Sequence, residues 1–203
     1  EQALSLATVR SERARAAEAV NTLRFDANAV FGDNTDGAGL VRDLCGNLGF
    51  AIAGRRILLL GAGGAARGVI APLLAENPAS LIIANRTLER ALVLERRFGS
   101  QVSASSYEGL SGKQFDLVVN ATSASLIGSH LTLPGGVFAG GSLAYDMTYG
   151  RGRTPFLERA AGEGARHVAD GLGMLVEQAA ESFLVWRGVR PETAPVLAAM
   201  RAQ

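Results

Sequence analysis

The feature that most constrains this chain is an apolar run that leads directly into a glycine-rich turn. The run is Arg56-Ile57-Leu58-Leu59-Leu60, the turn is Gly61-Ala62-Gly63-Gly64-Ala65, and apolar residues at helical spacing follow it (Val69, Ile70, Leu73, Leu74). Gly61, Gly63 and Ala66 stand at the spacing G-x-G-x-x-G/A. That spacing between a strand and a helix is typical of a dinucleotide-binding turn.

Each small residue in this turn has a physical reason in such a site. Gly61 can adopt the backbone angles of a tight turn, and Gly63 lets a pyrophosphate come close to the main chain. Ala66 lets the helix pack closely on the strand. The amino terminus of the helix then offers unpaired N–H groups to the phosphates. The alternative is that the glycines serve only tight packing.

From Arg56 onward, predicted strands alternate with predicted helices. The strands are 57–60, 80–84, 101–104, 116–120, 142–147 and 166–169, and the helices are 64–76, 87–98, 154–162, 171–187 and 192–202. Several of the strands are continuously apolar, as in sheets that are covered on both faces. The pattern predicts an α/β protein with a Rossmann-type, doubly wound parallel sheet in the order 3-2-1-4-5-6.

The first part of the chain has a different pattern. Residues 1–18 are alanine- and leucine-rich and predict one helix. Two short strands are predicted at 19–25 and 29–32, with a turn at 26–28 between them. A helical pattern follows through Leu40, Val41 and Leu44.

The composition excludes several classes of function. Hydrophobic residues make up 48% and charged residues 19% of the chain, which is typical of a soluble globular protein. The net charge of +1 does not favour nucleic acid as a partner. Cys45 is the only cysteine, so no internal disulfide framework is expected and a cytoplasmic location is the default. No apolar run is long enough to span a membrane. Because the chain opens with Glu1, we expect a trimmed or cloned piece.

The end of the second predicted Rossmann strand carries arginines where NAD sites usually carry an acid. The sequence there is Asn85-Arg86-Thr87-Leu88-Glu89-Arg90. Arg86 and Arg90 are one helical turn apart, so two guanidinium groups can grip the 2′-phosphate of NADP. The alternative is that Asn85 or Thr87 caps the helix and both arginines are solvated surface groups.

An acidic loop, Asp33-Asn34-Thr35-Asp36-Gly37, precedes the helical pattern at Leu40. Its oxygen-bearing side chains do not alternate as a calcium loop requires. One interpretation is an Asx turn followed by a helix N-cap. The other is a carboxylate, from either aspartate, held at the mouth of a cleft.

Further polar groups follow the later strands. Asn120-Ala121-Thr122-Ser123 leaves the fourth strand at its carboxyl end, where open α/β sheets bind ligands. Alternation along Tyr145-Asp146-Met147-Thr148-Tyr149 would send the two tyrosines and Met147 to one face, with core packing as the alternative. Gly171 stands at the start of a long helix that also carries Gln178, and a turn and a surface amide are the alternatives. His130 and His167 lack partners at ligand spacing, so no metal site is predicted.

In this order along the chain, these motifs closely resemble the shikimate dehydrogenase family. The segments that carry the resemblance are Ala19-Val20-Asn21-Thr22, Gly32-Asp33-Asn34-Thr35-Asp36-Gly37, Gly61-Ala62-Gly63-Gly64-Ala65, Asn85-Arg86-Thr87, Asn120-Ala121-Thr122-Ser123, Tyr145-Asp146-Met147 and Asp170-Gly171-Leu172-Gly173-Met174-Leu175. The resemblance implies an oxidoreductase acting on a CH–OH group, which reversibly reduces 3-dehydroshikimate to shikimate with NADPH, on the pathway to aromatic amino acids.

The resemblance also implies roles for individual residues. Asn21, Asp36, Tyr149 and Gln178 would bind substrate, and Asp36 would pair with a catalytic lysine. The cofactor NADP(H) would contact Glu12, Gly61, Ala62, Gly63, Gly64, Ala65, Asn85, Arg86, Thr87, Arg90, Thr122, Met147 and Gly171. The implied domains are a remnant of an α/β substrate-binding domain at 1–40, an NADP-binding Rossmann domain at 41–175, and helices at 176–203 that pack back toward the substrate domain.

The family's catalytic lysine precedes the segment that matches residues 1–18, so we expect it to lie outside these residues. Lys113 is the one lysine of the chain and falls in a polar turn outside every motif. The chain is therefore expected to bind cofactor but turn over shikimate negligibly. The alternatives are a quinate/shikimate dehydrogenase of broader specificity and a non-catalytic NADP-binding module. The expected partners are a small-molecule substrate and at most a second copy of the chain, with no nucleic acid or membrane.

Overall fold

The computed structural model describes residues 2–122, 132–150 and 152–202. Strands in these ranges are β1 (Val9–Arg10), β2 (Thr22–Asp26), β3 (Ala29–Asp33), β4 (Arg56–Leu60), β5 (Ser80–Ala84), β6 (Ser103–Ser105), β7 (Phe115–Asn120), β8 (Phe138–Asp146) and β9 (His167–Asp170). The α-helices are α1 (Gln2–Leu6), α2 (Glu12–Ala17), α3 (Asp36–Arg42), α4 (Gly64–Ala75), α5 (Leu88–Phe98), α6 (Pro155–Gly162), α7 (Leu172–Arg187) and α8 (Ala194–Arg201). No helix in these ranges combines the length and apolar character that a bilayer crossing needs.

The described chain divides into two compact units. The six-stranded unit comprises Ile52–Ala66 and Glu76–Gly171. The three-stranded unit comprises the residues up to Ala51, the segment Arg67–Ala75 and the residues from Leu172 onward. Helix α4 therefore begins in the first of these units and contributes most of its length to the second.

The six-stranded unit is built on a parallel sheet in the order β6-β5-β4-β7-β8-β9. Counted from β4, this is the predicted order 3-2-1-4-5-6, so the predicted Rossmann-type fold is confirmed. The central strands are apolar on both faces because both faces are covered. Ile57, Leu58, Leu59 and Leu60 of β4 are all fully buried.

The three-stranded unit has a small mixed sheet in the order β1-β3-β2. Strands β2 and β3 form an antiparallel hairpin, and β1 runs parallel to β3. The turn predicted at 26–28 joins β2 to β3. Helices α3 and α7 pack against each other in this unit.

The single helix predicted over residues 1–18 is wrong. Residues 7–11 interrupt it, because Val9 and Arg10 pair with β3 and the Thr8 backbone N–H donates to the Val30 carbonyl at 2.9 Å. Ser11 then starts α2 as its N-cap, accepting a hydrogen bond from the Ala14 N–H at 3.0 Å. In this segment the backbone thus pairs with a distant strand instead of forming a turn of helix.

Glycines let α3 approach its neighbours closely. A Cβ at Gly37 would collide with Pro72 and with the Gly68 carbonyl oxygen of α4. A Cβ at Gly39 would lie 2.8 Å from the Met174 carbonyl oxygen of α7. Both contacts would be closer than real Cβ atoms come to their neighbours. These two positions therefore require glycine because of packing and not because of their backbone angles.

We therefore expect Gly37→Ala to destabilise the protein by about 1–3 kcal/mol, because the added methyl group overpacks the junction of α3 and α4. Gly46→Ala is the matched control, since a Cβ there meets nothing within 4 Å. Thermal and urea unfolding of the two variants measures the difference. Equal stability of both variants would contradict this account of the packing.

Candidate functional site

Three side chains named above as substrate contacts lie together in the three-stranded unit. Asn21 precedes β2, Asp36 opens α3, and Gln178 lies in α7. The Asn21 side-chain amide donates to Asp36 Oδ1 at 2.7 Å and to Gln178 Oε1 at 3.1 Å. The fold therefore brings a carboxylate and two amides into one hydrogen-bonded group.

The carbonyl end of the Asn21 amide is also held. Its Oδ1 accepts hydrogen bonds from the Thr35 backbone N–H at 3.0 Å, from Thr35 Oγ1 at 3.2 Å and from Thr22 Oγ1 at 3.0 Å. Asn21 thus links the start of β2 to the loop that carries Asp36.

Asp36 is a carboxyl group with a perturbed affinity for protons. Burial raises the pKa of Asp36, and the hydrogen bond from Asn21 offsets part of that effect. A carboxyl group whose charged form is disfavoured by burial is suited to proton transfer.

Asp33, the other aspartate of the acidic loop, has a structural environment. It forms an ion pair with Arg13 at 2.5 Å and accepts from Ser11 Oγ at 2.5 Å. Burial by itself raises the pKa of Asp33, but the hydrogen bonds from Arg13 and Ser11 outweigh it, so the pKa lies below its usual range. Arg13 also bonds Glu181 at 3.3 Å.

The Asx turn predicted in this loop is present, because the Asp36 backbone N–H donates to Asn34 Oδ1 at 3.2 Å. The predicted side-chain N-cap of α3 is absent. Thr35 occupies the N-cap position of α3 without a capping bond, since its hydroxyl turns to Asn21 and Ser182 instead. Of the two aspartates, Asp33 is thus paired with a cation, whereas Asp36 accepts from the neutral amide of Asn21.

The glycine turn follows β4 in the six-stranded unit. Gly61 has φ of +109°, and a Cβ there would lie 3.0 Å from the Ala121 carbonyl oxygen. The fold itself therefore requires Gly61. At Gly63 and Gly64 a Cβ would meet no described residue within 4 Å, and both residues are exposed, as is Ala65. Packing among the described residues therefore does not explain these two glycines. Ala62 is half-buried beside them.

The segment after β5 places Arg86 and Arg90 at the surface. Thr87 is the N-cap residue of α5 but makes no capping bond, and the Asn85 amide donates to the Thr87 carbonyl at 2.8 Å. The predicted capping role of these residues is therefore absent. Tyr107 forms a hydrogen bond with the backbone of this loop at Arg86. Burial raises the pKa of Tyr107, and this hydrogen bond offsets part of that effect.

Polar groups also cluster at the carboxyl ends of β7 and β8. Asn120 Oδ1 accepts from Thr122 Oγ1 at 2.7 Å, and its amide donates to Asp146 Oδ1 at 3.2 Å. The Met147 backbone N–H donates to the Asn120 carbonyl at 2.9 Å. A Cβ at Gly171 would collide with the Met147 carbonyl oxygen. Thr122, Met147 and Gly171 are thus fixed at one edge of the sheet.

Two predicted residues remain, Tyr149 in the six-stranded unit and Glu12 in the three-stranded unit. Tyr149 is exposed, and because β8 ends at Asp146 it does not continue the predicted alternation from the buried Tyr145. Glu12 is exposed in the first turn of α2. Ser123 and His130 lie outside the described residues. Among the described residues, no group of three His, Cys, Asp or Glu side chains could hold a metal ion.

Sequence reasoning missed the side chains that support this group. They are Arg13 beside Asp33, and the hydroxyl groups around Asn21. One signal was available: Ser182 stands four residues after Gln178 and therefore on the same face of α7. Nothing local marks Thr22 or Tyr107.

The parallel sheet with a glycine turn after its first strand defines a Rossmann-type α/β protein. Two family models match the chain: "Shikimate / quinate 5-dehydrogenase" over residues 45–129, and "Shikimate 5'-dehydrogenase C-terminal domain" over residues 171–201. A shikimate dehydrogenase (NADP(+)) of Dechloromonas aromatica is 64% identical, and the match covers 100% of this chain and 75% of that protein. The chain belongs to the shikimate dehydrogenase family.

Solved structures agree with this assignment. The Ael1 enzyme from Pseudomonas putida is 50% identical with a TM-score of 0.92, over 98% of this chain and 73% of that one. Shikimate 5-dehydrogenase from Thermus thermophilus, solved in complex with NADP(H) and shikimate, is 32% identical with a TM-score of 0.85, over 100% of this chain and 75% of that one.

The Arg13–Asp33 pair generates a prediction about acid stability. A carboxyl group with a lowered pKa stabilises the fold above its unfolded pKa, and that contribution disappears as the pH falls through the folded value. Arg13→Met leaves Asp33 buried without its cation, so the midpoint of acid unfolding should move to higher pH. At neutral pH the expected cost is about 1–3 kcal/mol, less than for a fully buried pair because Arg13 is 35% exposed.

Arg10→Met is the control for this experiment, because it removes the same charge from an exposed position. Acid titration followed by circular dichroism compares the two variants. If both unfold at the same pH as the parent protein, Asp33 does not depend on Arg13.

Proposed function

We propose that this chain carries the NADP-dependent reduction of 3-dehydroshikimate to shikimate, and the reverse oxidation. The observation that carries the proposal is the hydrogen-bonded group of Asn21, Asp36 and Gln178. They are three of the four residues that the family resemblance assigns to substrate, and they are up to 157 positions apart in sequence. In this proposal, Asn21 and Gln178 bind substrate hydroxyl groups together with Asp36 and Tyr149.

The glycine turn and the arginines fit a phosphorylated dinucleotide. Gly63 and Gly64 leave open space beside the main chain at the start of α4, where the pyrophosphate would be held. Arg86 and Arg90 would hold the 2′-phosphate, with Asn85 and Thr87 beside them. Glu12, Thr122, Met147 and Gly171 are proposed as further cofactor contacts. NADPH, when bound, supplies the hydride.

The protein's own groups would orient the substrate and manage the proton. The reduction leaves negative charge on the former ketone oxygen, which must receive a proton. We assign Asp36 to this work, together with the lysine that the family resemblance implies. Asn21 already donates to Asp36 Oδ1, so Oδ2 is the oxygen that we assign to a substrate hydroxyl. The raised pKa of Asp36, caused by burial, suits a group that takes part in proton transfer.

Two alternatives remain distinguishable by assay. The matching family description includes quinate, so turnover of quinate at a rate close to that of shikimate would favour a broader specificity. Cofactor binding without turnover, even with the lysine supplied, would favour a non-catalytic NADP-binding module.

We expect the chain to bind NADPH more tightly than NADH, because two arginines follow β5 where NAD sites carry an acid. If each charge-assisted bond contributes about 1.5–3 kcal/mol, the preference is roughly two to four powers of ten. Calorimetric titration of both cofactors measures it. Arg86→Ala should reduce the preference, whereas Arg96→Ala, at the far end of α5, should not. Equal affinities of the parent protein for both cofactors would refute the role of the arginines.

A polypeptide of these 203 residues should turn over shikimate at a rate lower by about 10²–10⁴ than one that also carries the family lysine. Lys113 lies in the turn before β7 and His167 opens β9. Both are at the amino ends of parallel strands, whereas the glycine turn is at the carboxyl end of β4. We therefore assign the proton donor to neither of them.

The assay is shikimate-dependent formation of NADPH, followed by absorbance. Extending the chain at its amino terminus with a family segment that carries the lysine should raise turnover. The same extension with that lysine changed to methionine should not. Full activity of the 203 residues alone would show that the acid–base group is misassigned.

A further inference from the structure

Three hydroxyl groups lie behind Asn21, inside the three-stranded unit. They belong to Thr22, Thr35 and Ser182, which are 2%, 0% and 9% exposed. Ser182 Oγ lies 2.6 Å from Thr22 Oγ1 and 3.2 Å from Thr35 Oγ1, and it also reaches the Gln178 carbonyl at 3.0 Å. Both threonine hydroxyls reach Asn21 Oδ1. The cluster therefore joins β2, the acidic loop and α7 beneath one amide.

This arrangement allows only one orientation of the Asn21 side chain. The Thr35 backbone N–H can only donate, so it requires the amide oxygen on its side. A rotated amide would turn its NH₂ group toward that N–H and its oxygen toward the Asp36 carboxylate. Both new contacts would be repulsive, and they would be made at the edge of a buried cluster where unpaired polar groups are costly.

The three hydroxyls have fewer protons than contacts. They make five close contacts, two with Asn21, two between Ser182 and the threonines, and one with the Gln178 carbonyl. Each hydroxyl carries one proton. When Ser182 donates to a threonine, both threonines can donate to Asn21. When Ser182 donates to Gln178, a threonine can donate to Ser182 instead. The threonines are thus the members that act on Asn21, and Ser182 only competes for them.

We propose that Thr22 and Thr35 are positioning residues, which hold the Asn21 amide so that its NH₂ group faces Asp36 and Gln178. The inference rests on the proposed function in one respect, namely that Asp36 and Asn21 meet the substrate. Its structural part, the control of Asp36 through Asn21, is independent of any reaction.

The charged groups around Asp36 are otherwise occupied. On β3, Asp33 pairs with Arg13, and on α7 Glu177 and Glu181 pair with Arg190. On α4, the Arg67 guanidinium donates to the Ala17 carbonyl at 3.0 Å. Arg42, on α3 itself, pairs with Glu181. Burial and the Asn21 bond are the influences that set the pKa of Asp36.

The test compares Thr22→Val/Thr35→Val with Ser182→Ala. Valine keeps the shape of threonine but removes both hydroxyl donors to Asn21, so that the Thr35 backbone N–H remains as its donor there. Alanine removes the competing hydroxyl and leaves both threonine hydroxyls in place. The first readout is the pH titration of the Asp36 carboxyl carbon by NMR. The second is the affinity for shikimate, measured by chemical-shift titration of the same samples. Circular dichroism and thermal unfolding establish that each variant is folded.

We expect the double valine variant to raise the pKa of Asp36, because an Asn21 oxygen that keeps only the Thr35 backbone N–H is held less firmly, and a looser amide stabilises the carboxylate less. Its affinity for shikimate should fall roughly three- to tenfold. Ser182→Ala should neither raise the pKa of Asp36 nor weaken the binding of shikimate, because it removes only the group that competes with Asn21 for the threonine hydroxyls. If the double variant does not fold, the two single valine variants carry the same test.

An unchanged Asp36 titration in the folded valine variants would overturn the proposal, as would an equal shift in Ser182→Ala. A raised pKa with unchanged shikimate affinity would support the positioning of Asp36 and count against the proposed substrate site. The two failures are therefore distinguishable.

Discussion

The candidate substrate group depends on how closely α3 and α7 can approach. Gly39 faces the main chain of α7, and Gly173 of α7 faces Asp43 just beyond α3. A side chain at Gly39 would meet that main chain and separate the helices, whereas one at Gly173 would displace the Asp43 carboxylate. Their close packing is what places Gln178 within 3.1 Å of Asn21, while Asn21 bonds Asp36 at the start of α3. The close packing of α3 on α7 at Gly39 is thus a condition for these polar groups to meet.

The sheet of the six-stranded unit was the most predictable part of the fold. Strands covered on both faces need continuous apolar runs, and Ile57–Leu60 or Leu117–Val119 cannot be placed elsewhere without exposing them. The break at Thr8 was not predictable in the same way. Val9 and Arg10 are both exposed in β1, so no burial pattern marks the strand. Its cause is pairing with β3, about 22 residues away, which local periodicity does not record.

The candidate sites, too, were predictable only where the sequence carries a local signal. The glycine turn was predictable because its spacing reports a local backbone requirement, which Gly61 meets with φ of +109°. Whether the Thr87 side chain caps α5 was not predictable, because capping depends on where its hydroxyl group points. The hydrogen-bond partners of Asn21 were still harder to predict from the sequence. They come from the loop before α3 and from α7, and only the fold places Thr35 and Gln178 on opposite ends of one amide.

Asp33 and Asp36 show how packing assigns different chemistry to two identical side chains three residues apart. Both are withdrawn from water, which by itself raises the pKa of each. Asp33 faces Arg13 and Ser11, so its charged form is favoured and it holds α2 against β3. Asp36 faces a neutral amide, which favours its charged form much less. Arg13 therefore stabilises the Asp33 carboxylate as a structural group, whereas the contacts that set the pKa of Asp36 include no cation, and burial leaves that pKa raised.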